Sequence, residues 1–198
     1  MLTTVAKNLA LDGITIADAS LHTAYSASGA NEVTGGSPAY ARRAITFAAA
    51  SAGSRSASTQ PSFDVPASTT VKWVGLHGGG SPSQFLGMTP LGGSEKEIIS
   101  VQLGSPEGIF TVPSHGYSNG DQVVFYDGTV PGGLTEATEY YVISASTDTF
   151  SVSATAGGAG INITSYPTGL CKVSKIVPEA FGSQGTLSVS SASLALSA

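Results

Sequence analysis

The sequence predicts an all-β protein: a β-sandwich with a short N-terminal helix and an inserted small β-barrel or sandwich module. Three observations carry this expectation. Short segments alternate apolar and polar residues, as in TVKWV and TFSVS. Turn signals separate them, among them His115-Gly116, Asn119-Gly120, Asp127-Gly128, Pro131-Gly132-Gly133 and Gly157-Gly158. Charged residues make up only 11% of the chain, against roughly 25% in an average soluble domain. Gly, Ser, Thr and Ala stand in their place, giving a polar but uncharged surface of the kind that packs against other proteins.

The stretch FDVPASTTVKWVGLH, Phe63 to His77, organises the first domain. It reads as two short strands joined by a Pro-containing turn, with Val71, Trp73 and Gly75 on one face and Lys72, Val74 and Leu76 on the other. Trp73, the one tryptophan, is expected to anchor that core. Before it, Thr3 to Asp12 reads as a helix capped by Thr3 or Thr4 and stopped at Gly13, with Leu2, Val5 and Leu9 on its buried face. Ser20 to Thr23 reads as a strand, Tyr25 to Pro38 as a loop, and Tyr40 to Phe47 as a second strand. There Arg43 shares a side with Ile45 and Phe47, so it either ends the strand in water or pairs with a carboxylate. Ala48 to Gln60 is a loop or weak strand, and Gln84 to Gly87 a short strand.

The texture changes at Gly92-Gly93-Ser94. Residues 94–174 hold eight acids (Glu95, Glu97, Glu107, Asp121, Asp127, Glu136, Glu139, Asp148) and two bases, Lys96 and Lys172. That segment therefore carries −6 of a chain whose net charge is −5, leaving +1 for the rest. Strands are expected at 97–103, 109–112, 121–126, 139–145, 149–154, 161–164 and near 170–173. Phe125, Tyr141 and Phe150 would build the core, with Tyr126 and Tyr140 more exposed. The alternating tail from Ile176 returns to the first texture. The chain thus divides into 1–93 plus 175–198, a sandwich, and 94–174, an inserted acidic β-module; such insertions are tolerated at loop tips.

These features exclude several classes. A net charge of −5 argues against nucleic acid as a partner. The single cysteine, Cys171, rules out an intrachain disulfide framework and a Cys-based zinc site. No apolar run approaches the roughly 20 residues of a membrane helix, and the N-terminus, with one early Lys and no long apolar block, does not read as a signal peptide.

Chemistry is sparse. Ser114-His115 with Asp121 is the nearest approach to a nucleophile, base and acid, but it lies in a turn where His, Asn and Asp are favoured by the backbone. Asp121, Asp127, Glu136 and Glu139 read as turn acids rather than a glycosidase pair. His22 and His77 read as capping or half-buried, and the spacing of the three histidines does not make a metal site. Calcium-loop and phosphate-loop signatures are missing. The expectation is a non-enzyme with no catalytic, metal or cofactor residues and no cofactor. Candidate surface contacts are Tyr117, Tyr126 and Tyr140, for a sugar or protein partner, and Arg42 and Arg43, for a neighbouring subunit.

The order SLHTA, GANEVTGGSPAYARRAITFAAAS, FDVPASTTVKWVGLHG, FLGMTPLGG and IVPEAFGSQGTLSVSSASLAL resembles small tail-associated virion proteins of long-tailed actinobacterial bacteriophages, of the minor tail or tail fibre type. The segment from PSHGYSNGDQVVFYDG to GGLTEATEYYVISASTDTFSVSATAGGAGINIT resembles a β-module inserted in many phage tail proteins. The resemblance implies a structural virion component, assembled in the host cytoplasm, whose partners are other virion proteins and copies of itself, a trimer by analogy with fibres. Capsid decoration and binding of a host receptor or glycan are the alternatives.

Overall fold

The structure is a computed structural model that describes residues 2–93, 95–104 and 107–196. It is all-β, 41% strand and 5% helix. The chain divides into two compact units, Met1–Thr89 with Glu179–Ala198, and Pro90–Pro178.

The first unit opens with α1 (Thr4–Asp12), whose cap is Thr3: its hydroxyl accepts from Ala6 N at 3.2 Å. The helix docks through polar bonds. Asn8 Oδ1 accepts from Gly53 N at 2.9 Å, and Asp12 Oδ1 from Ala50 N at 2.8 Å. Arg55 donates to the Leu11 and Ile14 carbonyls at 2.7 and 3.2 Å. Leu11 is the helix residue that goes inside. The expected buried face is instead turned outward: Leu2, Val5 and Leu9 are 56%, 68% and 70% exposed. Periodicity identified the stripe correctly and its direction wrongly, because the partners of α1 are polar side chains and carbonyls.

A four-stranded sheet follows, ordered β2 (Arg43–Ala44), β1 (Asp18–His22), β6 (Trp73–His77) and β7 (Phe85–Pro90). The expected strand over 40–47 contracts to β2. Arg43 resolves to the pairing alternative, with Nη2 2.7 Å from Asp64 Oδ2. Phe63 to His77 is not a self-paired hairpin. Its strands β4 (Ser62–Val65) and β5 (Thr69–Val71) each take a partner from the C-terminal tail, and β6 pairs elsewhere. The tail strands β15 (Glu179–Phe181), β16 (Gly185–Ser188) and β17 (Ser193–Ala195) lie antiparallel to β5, β4 and β3 (Ser54–Ser56) in turn. The first two pairs share one register, Glu179↔Val71 through Ser188↔Ser62; the third, Ser193↔Ser56, is slipped by one residue. The tail therefore closes this unit by pairing with strands more than 100 residues earlier, which local sequence cannot specify. Trp73, Phe63, Val65, Val71 and Leu21 are buried there, and the Trp73 ring lies 5.3 Å from that of Tyr25, centroid to centroid.

The second unit is one seven-stranded antiparallel sheet. Its order is β8 (Glu95–Glu97), β14 (Lys172–Ile176), β11 (Gln122–Tyr126), β12 (Glu139–Ile143), β13 (Thr149–Ser153), β10 (Ile109–Thr111) and β9 (Ser100–Gln102). The two edge strands, β8 and β9, are consecutive in the chain and separated only by Ile98 and Ile99. One bent run thus pairs with β14 at its start and β10 at its end and so joins the two ends of the sheet. The bend falls within the segment expected as one strand at 97–103. The expected strand at 161–164 contributes only a bridge, Ile163 to Gly104. The boundary expected at 174 would cut β14, which belongs wholly to this unit.

The barrel encloses its own core: Phe110, Phe125 and Phe150, with Val123, Val142, Val152, Ile163 and Val173. Phe110 lies 5.0 Å from Phe125 and 5.4 Å from Phe150, centroid to centroid. Such aromatic pairs contribute about 0.5–1.5 kcal/mol beyond the area they bury. Tyr140, not Tyr141, faces this core and meets Phe125 edge-on. A reading displaced by one residue exchanges the two faces of a strand.

Candidate functional site

Residues 18, 20 and 22 of β1 share one face by strand alternation. Direct antiparallel partners also share a face, so Asp18↔His77, Ser20↔Gly75 and His22↔Trp73 place Ser20, His22, His77 and Trp73 together. Opposite Ser20 stands Gly75, and its lack of a side chain is required. A Cβ there would lie 2.5 Å from Ser20 Oγ and 2.6 Å from His22 Nε2. Phe85 of β7 meets both imidazoles edge-on, with centroids 6.1 Å from His22 and 5.3 Å from His77.

Ser20 Oγ bridges the two rings, 2.7 Å from His22 Nε2 and 2.8 Å from His77 Nε2. The proton order follows from the outer partner. His22 Nδ1 lies 2.8 Å from the Ala30 carbonyl, which only accepts, so Nδ1 carries the proton. His22 Nε2 then accepts from the Ser20 hydroxyl, and Ser20 Oγ accepts from His77 Nε2–H. This leaves His77 Nδ1 as a buried acceptor without a partner. Burial is the main cause holding both imidazoles below their ordinary pKa, and Arg42 pushes His77 the same way.

The loop after β1 returns to the sheet at a bridge between Glu32 and His22. Ligand atoms of His22, Glu32 and His77 all lie within 4.8 Å of one another. Arg42 grips Glu32 from its other side, Nη2 to Oε2 at 2.7 Å and Nε to Oε1 at 2.9 Å. Burial works to raise the Glu32 carboxyl, but the Arg42 guanidinium outweighs it and the group stays below the usual carboxylate range. Tyr40 accepts from Leu21 N at 2.7 Å and faces Glu32 Oε1 at 3.4 Å. Serine and both histidines are fully enclosed. Ser20 is therefore not a nucleophile that a substrate could meet; the cluster can hold protons or a cation. Sequence reading took His22 and His77 one at a time. The signal that was there is S-x-H on one strand, with a second histidine two residues after a glycine on another.

The residues singled out as surface contacts fare differently. Tyr117 is 8% exposed, packed against His115 and Phe150, and burial pushes its phenol up to about 12. Tyr140 is 6% exposed, and its hydroxyl accepts from Thr135 N at 2.8 Å. Neither is a surface contact, because both fill the barrel. Tyr126 is half-buried, its hydroxyl 3.2 Å from Glu95 Oε2, beside Lys172, which pairs with Glu95 at 2.7 Å and Asp127 at 2.9 Å. Arg42 and Arg43 pair with Glu32 and Asp64 of their own chain. Ser114, His115 and Asp121 do not assemble: His115 Nδ1 accepts from Tyr117 N at 2.9 Å, while Asp121 Oδ2 is held by Ser118 N and Lys175 Nζ.

Val5 and Leu9 of α1, with Leu2 just before its cap, are exposed apolar side chains on a short helix fixed in place by Asn8, Asp12 and Arg55. Comparison with known protein families, with curated proteins and with solved structures finds no match.

Proposed function

We propose that this chain is a structural component of a bacteriophage particle, tail-associated, which assembles with copies of itself and with other virion proteins. The observation that carries the reading is the outward apolar stripe of α1. A fully buried Leu or Val side chain gains roughly 1.5–3 kcal/mol over an exposed one. Two such residues on a helix already held in shape, with Leu2 just before its cap, offer a contact that needs little further ordering. The low charge of the chain and the segment order of the phage resemblance support the same reading. The glycan- or receptor-binding alternative loses two of its three aromatic contacts, since Tyr117 and Tyr140 are interior.

The test is electron microscopy of intact particles carrying a tagged chain. Label along the tail or at its tip is the expected result. Label at three-fold positions of the capsid would replace the tail reading with capsid decoration, and particles without label would overturn the virion reading.

A further inference from the structure

We propose that His22, Glu32 and His77 form a binding site for one divalent transition-metal ion of the zinc class, a structural site that ties the loop over residues 23–31 to strands β1 and β6. Two imidazoles and a carboxylate are donors for such ions, whereas calcium and magnesium prefer oxygen alone. The three ligand atoms lie within 4.8 Å of one another.

Two independent observations support the site. First, His22 is arranged as metal-binding histidines are: its Nδ1–H is committed to the Ala30 carbonyl at 2.8 Å, leaving the Nε2 lone pair facing the cluster. Second, His77 Nε2 faces the same point: Ser20 Oγ lies 2.7 Å from His22 Nε2 and 2.8 Å from His77 Nε2, so with the His77 proton moved to Nδ1 one ion beside that oxygen reaches both rings. Tetrahedral zinc, with bonds of about 2.0–2.1 Å, sets its donors about 3.4 Å apart. The widest separation here must therefore contract, and Ser20 Oγ, now 2.7 and 2.8 Å from the two Nε2 atoms, must draw back slightly. The serine hydroxyl then stands at the fourth position. Arg42 plays the outer role for Glu32, orienting the carboxylate through Nε and Nη2. Glu32 also lines a shallow surface depression with Tyr40 and Arg42.

The enclosure of His22 and His77 makes the role structural. The ion bridges β1, β6 and the chain that returns at Glu32, so it favours the folded state in proportion to its concentration.

The test uses the whole chain, stripped with EDTA and titrated with Co2+ at neutral pH, followed by visible absorption and calorimetry. One equivalent should bind, with the d–d band of four-coordinate Co2+. Zn2+ should displace it and raise the melting temperature. Glu32→Gln, at a partly exposed position whose folding is checked by near-UV circular dichroism, should weaken binding at least about tenfold. His115→Gln should bind as the unaltered protein does. The proposal is overturned if the folded protein binds neither ion saturably, if folded Glu32→Gln binds undiminished, or if His115→Gln abolishes binding.

Discussion

The hydroxyl of Ser20 lies 2.8 Å from Nε2 of His77, a residue 57 positions away in the chain. Register makes this possible: Ser20 pairs with Gly75, so His77 is its diagonal neighbour on the same face, and the glycine leaves room for both side chains to meet. Gly75→Ala should therefore destabilise the first unit by about 1–3 kcal/mol, the usual cost of forcing a methyl group into a packed site. Urea unfolding monitored by Trp73 fluorescence measures it. An alanine variant as stable as the parent would show that Ser20 and His22 have room to move aside.

Each unit buries its own apolar side chains, Trp73, Phe63 and Val71 among them in the first and Phe110, Phe125 and Phe150 in the second. Phe125→Ala should cost about 3–5 kcal/mol and lower amide-exchange protection in β11 to β14 while leaving β1 and β6 protected. Trp73→Ala should do the reverse. Equal loss of protection in both units from Trp73→Ala would contradict the two-core account.

Cys171 is enclosed in the barrel, where burial foremost, with Asp127 and Glu136 nearby, pushes its thiol up to about 11 from an ordinary 9.0. The sign follows directly. Above about pH 9 the unfolded chain releases this proton while the folded chain keeps it, so stability falls as pH climbs towards 11. At pH 8 the folded protein should resist a disulfide reagent that the urea-unfolded chain consumes at once. Rapid reaction of the folded protein would place the thiol at the surface.

How much of this was legible in the sequence depends on the range of each interaction. Strand positions in the barrel were readable because alternation and turn residues act within a few positions: β10 to β13 fall within a residue or two of the expected segments. The burial of Trp73 was readable for the same reason, and the return of the tail to the first domain from its change of texture after the acidic segment. The pairing of β4 and β5 with the tail was not, because nothing in FDVPASTTV distinguishes a neighbouring partner from one at residues 179–188. Tyr140 and Tyr141 were exchanged because adjacent tyrosines leave the alternation without a phase. The Ser20–His22–His77–Glu32 cluster needed the β1–β6 register, which no local pattern supplies. The outward face of α1 was misread because apolar periodicity was taken to mean burial, whereas Asn8, Asp12 and Arg55 decide the docking.

The stripe of Leu2, Val5 and Leu9 contributes little to the fold, being more than half exposed at each position. Leu9→Ser combined with Val5→Ser should shift the melting temperature of the isolated chain only slightly, since surface substitutions fall within about 0.5 kcal/mol. A large loss of monomer stability would show that the stripe packs within the chain.

Sedimentation of the full chain across a wide concentration range tests the central claim, self-assembly through α1, most directly. The account predicts a discrete homo-oligomer, a trimer by the fibre analogy, that dissociates to folded monomers in the Val5→Ser, Leu9→Ser variant. A chain that stays monomeric at every concentration, or an oligomer that the double variant leaves intact, would contradict it.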